Sequence, residues 1–116
     1  MSDILTGTIP GVQNVRLPDV IGLWEVIRIS REGETPVYPW INGRFLFNFM
    51  DEMMFSFIRG GRHSSGTWEL ATKTWEDEIQ FSIKLNDTFE YIIIDIDEDQ
   101  LIMTDGGSKY TLTRKL

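Results

Sequence analysis

The chain has 116 residues, of which 41% are hydrophobic and 12% aromatic, so it is long enough for one domain with one core and too short for two. Its formal net charge of -7 argues against nucleic acid and anionic membranes as partners, because both attract basic surfaces. Cysteine is absent, which excludes disulfides and thiolate chemistry. No apolar run has the length of a signal-peptide core or of a membrane-spanning helix. We therefore expect a soluble, cytoplasmic protein, unless a signal peptide has been removed.

Residues 1–18 mix polar residues with scattered aliphatic ones and include Gly7, Pro10 and Gly11. No clean period emerges, so we interpret this segment as an N-terminal arm, either extended or with one short helical turn. We expect the arm to pack outside the folded domain or across one end of it, and to end at Pro18. Residues 19–116 then form the domain itself.

The first predicted strand, residues 19–30, is entered through a Gly-x-Trp step at Gly22 and Trp24. The glycine allows a close backbone approach, and we expect the tryptophan ring to turn into the core. A second step of this kind, Gly66-Thr67-Trp68, follows in mid-chain. If Trp24 points inward, strand alternation also turns Val26 and Arg28 inward.

Residues 31–43 form a long loop with two prolines, two glycines and several large apolar side chains. Loops of this length in small domains are often functional. One interpretation is that Val37, Tyr38, Trp40 and Ile41 cap the open end of the core. The other is that Tyr38 and Trp40 belong to a lid over a ligand entrance.

The rest of the chain alternates apolar and polar residues in short segments separated by turn residues. Connections of hairpin length and the absence of a helical crossover predict an all-β fold, a small up-and-down antiparallel barrel of about eight strands. Such a barrel is either filled by side chains or holds one small ligand. The later predicted strands are residues 45–49, 55–59, 63–75, 78–85, 89–96, 101–104 and 109–115.

The predicted strand from Phe89 to Ile96 is apolar on both faces. Ile92, Ile94 and Ile96 share one face, and Phe89, Tyr91 and Ile93 share the other. A strand that is covered on one side only does not have this pattern. We expect its outer face to be buried by the N-terminal arm or by a second copy of the chain in a homodimer.

Over residues 19 to 115 the chain resembles the small bacterial lipocalin-like domains of the calycin group. The resemblance rests on the step at Gly22 and Trp24, on Gly66-Thr67-Trp68 and on the final strand, residues 110–114. It implies a barrel that Gly22 and Trp24 close at one end, with Arg114 against the ring of Trp24. The chain is shorter than the secreted lipocalins and has no cysteines and no clear C-terminal helix, which counts against extracellular ligand transport.

An arginine inside a barrel needs a carboxylate, backbone carbonyls or an anionic ligand, since an unpaired buried charge is very costly. One hypothesis is that Arg28 and Arg114, with the hydroxyls of Tyr91 and Tyr110, clamp an apolar molecule that carries a carboxylate, as the related fatty-acid carriers do. The alternative places Arg28 in water or in a pair with Glu90, and leaves Arg114 as a structural cation–π contact.

Inward aromatic residues, among them Phe47, Phe57 and Trp68, favour a barrel that binds a small apolar or carboxylated ligand. Their bulk also favours the alternative, a filled barrel that acts through its outer surface as a dimeric or partner-binding module. The sequence presents no nucleophile with a base, so we predict no catalytic residues. His63 is the single histidine, and we expect neither a metal nor a cofactor.

Overall fold

The structure is a computed structural model, and it describes residues 15–39 and 44–115. Within these ranges every strand pairs antiparallel with its neighbours in sequence, and the first pairs with the eighth, so the sheet closes into a barrel. This confirms the predicted up-and-down barrel. Trp40 and most of the N-terminal arm lie outside the described residues. The strands are β1 (Gly22–Ser30), β2 (Phe45–Met50), β3 (Met54–Arg59), β4 (Arg62–Trp75), β5 (Glu78–Leu85), β6 (Phe89–Ile96), β7 (Gln100–Thr104) and β8 (Lys109–Lys115).

Tight turns join most of the strands, and their residues explain why the predicted boundaries hold. The β4–β5 turn has Glu76 and Asp77 at φ of 51° and 64°, and the β5–β6 turn has Asn86 and Asp87 at 55° and 57°. Left-handed turns of this kind match the twist of the strands they join, and Asn and Asp tolerate them. β1, β3, β5 and β7 all end at the same end of the barrel, the mouth end. The opposite end is the closed end.

A short helix, α1 (Leu17–Val20), precedes the first strand at the closed end. Pro18 lies in its first turn, where the missing N–H leaves no hydrogen bond unmade. The predicted boundary between the arm and the domain, at Pro18, falls inside this helix, which continues to Val20. The carbonyl oxygen of Val20 accepts a hydrogen bond of 2.9 Å from the indole Nε1 of Trp24, which is fully buried.

Arg114 of β8 crosses the closed end and holds it together. Its guanidinium carbon lies 4.1 Å from the centre of a Trp24 ring. Its Nη2 and Nη1 donate to the carbonyl oxygens of Asp19 and Ile21, each at 2.8 Å, and its Nε donates to that of Glu98 at 2.7 Å. The expected contact between Arg114 and Trp24 is confirmed, and it also joins α1 to the β6–β7 turn.

Both Gly-x-Trp steps have a glycine because another side chain crosses the backbone there. Gly22 has a φ of 142°, and a Cβ atom at this position would overlap the guanidinium of Arg114. At Gly66 a Cβ atom would overlap the side chain of Asn86, whose Oδ1 accepts a hydrogen bond of 2.9 Å from the backbone N–H of Thr67. The two glycines therefore serve close packing in the barrel wall.

Strand alternation fails in β1, where the pairing with β8 shifts between Val26 and Arg28. A bulge of this kind reverses the faces of the residues that follow it. Arg28 pairs with Thr111 and is exposed on the outer face, whereas Ile29 packs against the core. The prediction that Arg28 points into the barrel is therefore wrong.

A second bulge divides β6, where the pairing with β7 shifts between Ile93 and Asp95. Ile93 and Ile96 both lie in the core, while Ile94 is exposed, so Ile92, Ile94 and Ile96 do not share one face. Ile92 lies on the outer face and is nevertheless buried. The homodimer through Phe89 to Ile96 stays a prediction.

We predict that Trp24→Ala lowers the free energy of unfolding by about 3–5 kcal/mol, because it empties a buried site and removes the surface on which Arg114 stacks. Equilibrium unfolding in urea measures this difference. Phe89→Ala is the matched control, since Phe89 is 60% exposed and its loss should cost about 0.5 kcal/mol or less. Equal losses in the two variants would contradict the assignment of Trp24 as the anchor of the closed end.

A second prediction concerns the close packing at Gly66. Gly66→Ala should cost about 1–3 kcal/mol, because the added methyl group meets the Asn86 side chain. In an Asn86→Gly background the same change should cost at least 1 kcal/mol less, a coupling that a double-mutant cycle in urea measures. Additive effects of the two substitutions would show that the overlap is not the cause.

Candidate functional site

A cavity of about 390 Å³ opens inside the barrel at the mouth end, and we call it the mouth cavity. At roughly 30 Å³ per non-hydrogen atom, the share of liquid volume that one water molecule takes, it holds about thirteen such atoms. This is the size of a small ligand and lies in the range typical of ligand pockets. Its walls include Phe45, Phe47, Phe55, Phe57, Leu85, Phe89 and Tyr91.

The aromatic wall follows from the pairing of β2 with β3. Phe47 lies opposite Phe57, and their ring centres are 5.8 Å apart. Tyr91 of β6 meets Phe47 across the barrel at 6.0 Å, with its ring nearly perpendicular. Aromatic rings favour such tilted and edge-to-face contacts at these distances, so the wall is formed before any ligand arrives.

Arg59 lies at the rim of the mouth cavity, where it continues the inward row of Phe55 and Phe57 on β3. Its guanidinium carbon is 4.6 Å from the centre of the Phe45 ring. Among the described residues no carboxylate forms an ion pair with Arg59. The rim therefore holds a positive charge that is uncompensated apart from its contact with an aromatic face.

Tyr91 and Tyr110 form a pair beside this charge, with ring centres 5.6 Å apart. The Tyr110 hydroxyl donates to Oδ2 of Asp105 at 2.9 Å, and burial together with this carboxylate raises the pKa of Tyr110 to about 12. Burial, and then Asp105, raise the pKa of Tyr91, while Arg59 opposes this rise. Both hydroxyls are therefore protonated at neutral pH and can act as hydrogen-bond donors.

The mouth cavity includes three of the predicted ligand-binding residues, namely Phe47, Phe57 and Tyr91. Tyr110 lies behind Tyr91, and its hydroxyl already has a partner in Asp105.

The other predicted site residues lie elsewhere. Trp68 is buried toward the closed end, where its Nε1 donates to the carbonyl oxygen of Met50 at 3.0 Å. Arg114 lies at the closed end with Gly22 and Trp24, and Arg28 lies outside the barrel. Tyr38 is exposed in the loop after β1.

Arg59 was missed by the sequence analysis, although the signal was present. It shares the alternation of Phe55 and Phe57 in the predicted strand of residues 55–59. The alternation from Trp24 points to Arg28 instead, but the bulge in β1 interrupts it. Strand alternation therefore predicts the inward position of Arg59 on β3 correctly and that of Arg28 on β1 wrongly.

A larger hollow, of about 590 Å³, lies outside the closed end, between Pro18, Arg114 and the β6–β7 turn. Its acidic residues already serve the fold. Oδ1 of Asp97 accepts the backbone N–H groups of Asp99 and Gln100, each at 2.8 Å, and the carbonyl oxygen of Glu98 accepts Arg114. This hollow has no aromatic walls. We therefore take the mouth cavity, which has them, as the candidate site.

The sequence matches no known family model and no curated protein. The structure is similar to the crystal structure of a lipocalin-like protein from Bacteroides uniformis, with a TM-score of 0.57. The match covers 84% of this chain and 99% of that chain, at 16% sequence identity. The lipocalin-like fold that the sequence indicates is confirmed, and at this identity the likeness concerns the fold alone. Within the described ranges, no helix has the length and apolar character needed to cross a membrane.

We predict that Tyr110 ionises near pH 12 and that Asp105→Asn lowers this pKa, because the substitution removes a negative charge beside the hydroxyl. A pKa that is raised on folding stabilises the protein fully below the unfolded value of about 10. That contribution is lost as the pH rises from about 10 through 12. Ultraviolet titration of tyrosinate in the wild type, in Asp105→Asn and in Tyr110→Phe measures the pKa. An unchanged titration curve in Asp105→Asn would contradict the role of the carboxylate.

Proposed function

We propose that the protein binds a small apolar carboxylate, with the hydrocarbon part in the mouth cavity and the carboxylate at Arg59. The observation that carries the proposal is the uncompensated guanidinium at the rim of an aromatic cavity. A carboxylate accepts two parallel hydrogen bonds from a guanidinium, which gives both affinity and orientation.

The polar groups of the cavity support an anionic ligand. Besides Arg59, the polar lining residues are Ser64, Ser65, Asn86 and Tyr91. Ser64 lies opposite Phe57 and faces the cavity, whereas Ser65 lies opposite Ser56 on the outer face. The side chains of Ser64, Asn86 and Tyr91 can donate hydrogen bonds, and no described lining residue carries a negative charge. An anionic head group is therefore favoured over a cationic one.

The position of Arg59 also sets the direction in which the ligand lies. Arg59 is at the end of β3, next to the β3–β4 turn, whereas Phe47 and Phe55 lie deeper in the barrel. An apolar tail that enters first leaves water for the aromatic wall, and burial of each CH₂ group contributes about 0.8 kcal/mol. The carboxylate then stays near solvent, which reduces the cost of removing its water.

The same lining favours binding over catalysis. The described residues that line the mouth cavity include no histidine, carboxylate or lysine that could serve Ser64 as a base. A serine hydroxyl without such a base is a weak nucleophile. We therefore propose a carrier or sensor rather than an enzyme.

Decanoic acid tests the proposal, since its roughly twelve non-hydrogen atoms match the number, about thirteen, that the mouth cavity holds. We expect isothermal titration calorimetry to give a Kd on the order of 10–100 µM. Arg59→Met should weaken binding of decanoic acid about tenfold or more, because a hydrogen bond to a charged group is lost. It should leave binding of decanol unchanged, since the alcohol has no charge.

Arg28→Met is the matched control, because it removes the same charge from the outer face of the barrel. We expect wild-type affinity for decanoic acid in this variant. Loss of binding in Arg28→Met but not in Arg59→Met would contradict the proposed position of the carboxylate. No binding of decanoic acid to the wild-type protein would contradict the proposed function.

A further inference from the structure

A second hollow, of about 190 Å³, lies beside the mouth cavity at the rim of the barrel, under the loop after β1, and we call it the outer hollow. Two residues, Phe45 and Arg59, line both spaces. The stacked pair of Arg59 on Phe45 therefore forms the border between the two spaces. A ligand group bound to Arg59 therefore lies between the mouth cavity and the outer hollow.

The far wall of the outer hollow is apolar and fixed in place. It consists of Ile29, Val37 and Pro39. Ile29 and Val37 exchange two backbone hydrogen bonds, from Ile29 N–H to the carbonyl oxygen of Val37 at 2.8 Å and in the reverse direction at 2.9 Å. These bonds hold the loop after β1 against the barrel, although the Val37 side chain is 56% exposed.

The second cation at the outer hollow, Arg44, already has a partner. Its Nε and Nη2 donate to Oε2 and Oε1 of Glu25 at 3.0 and 2.9 Å. These hydrogen bonds, together with Lys115 at 3.3 Å, keep the Glu25 carboxylate ionised by lowering its pKa, against the opposing effect of burial. Arg59 has no such partner among the described residues, so an anion at this border binds Arg59.

We propose that the outer hollow takes a second apolar group, attached next to the carboxylate of the ligand. This inference rests on the proposed function. The ligand class is then a carboxylate with hydrocarbon on both sides, such as an N-acyl derivative of an apolar amino acid. The acyl chain lies in the mouth cavity, the carboxylate binds Arg59, and the amino-acid side chain packs against Ile29 and Val37. At roughly 30 Å³ per non-hydrogen atom, the outer hollow holds about six atoms, enough for a leucine side chain.

The test compares N-octanoylglycine with N-octanoylleucine, which share the acyl chain and the carboxylate and differ only in the isobutyl group. We expect isothermal titration calorimetry to show about tenfold tighter binding of the leucine derivative, because its four additional carbon atoms are only partly buried against a wall in which Val37 is exposed. Equal affinities, or weaker binding of the leucine derivative, would overturn the inference.

Val37→Ser provides the test on the protein side, because it removes apolar surface from the outer hollow at an exposed position. We expect it to reduce the preference for leucine over glycine to about threefold or less, with unchanged affinity for N-octanoylglycine. Ile79→Ser is the matched control, since Ile79 is an exposed aliphatic residue on the distant β4–β5 hairpin. A full preference in Val37→Ser, or an equal reduction in Ile79→Ser, would contradict the assigned wall.

Binding of decanoic acid distinguishes a failure of the proposed function from a failure of this inference. If the wild-type protein binds decanoic acid and Arg59→Met weakens that binding, while the two N-octanoyl ligands bind equally, the proposed function stands and the outer hollow has no role. If the protein binds none of these three ligands, both the proposed function and this inference fail.

Discussion

The stack of Arg114 on Trp24 is the contact on which the rest of the barrel depends. Arg114 is in the last strand, yet it donates to the carbonyl oxygens of Asp19, Ile21 and Glu98 and so joins α1, the entry to β1 and the β6–β7 turn. Backbone carbonyls left at a strand end need partners, and one guanidinium supplies several donors in a fixed plane. This contact holds α1 against β8 at the place where β1 pairs with β8.

Closing one end in this way leaves the opposite end to hold the cavity. The aromatic residues of β2 and β3 pack in two paired rows, and the deeper ones, Phe49 and Phe55, are buried. Nearer the mouth the row changes from Phe57 to Arg59, so the interior changes from apolar to charged along one strand. The gradient from apolar depth to cationic rim is what an amphiphilic anion needs, and it arises from the alternation of a single strand.

The strands were predictable because each boundary has a local signal. Asn86-Asp87 and Gly60-Gly61 permit tight left-handed turns, and the residues between such turns alternate with period two. The side-chain orientation of the residues that follow Val26 in β1 and Ile93 in β6 was not predictable, because both bulges depend on how neighbouring strands pair. A bulge adds one residue to a strand without changing the local composition. Whether Arg28 and Ile94 face the core or the solvent can therefore be predicted only when the pairing with the partner strand is known. The candidate site was therefore predicted in its aromatic half and missed in its charged half.

Three arginines of this barrel differ in their capacity to bind a ligand, and their interaction partners explain the difference. Arg114 binds backbone carbonyls and an indole ring, and Arg44 binds the carboxylate of Glu25, so neither has its charge available for a ligand. Arg59 has the face of Phe45 and the nearby Tyr91 but no carboxylate in the described part of the chain. A guanidinium in this position keeps most of its capacity to bind an anion, since a cation–π contact contributes only about 0.5–2 kcal/mol and leaves its N–H groups unpaired. An inward cation without a carboxylate partner therefore indicates the candidate site better than a count of the cations around the barrel does.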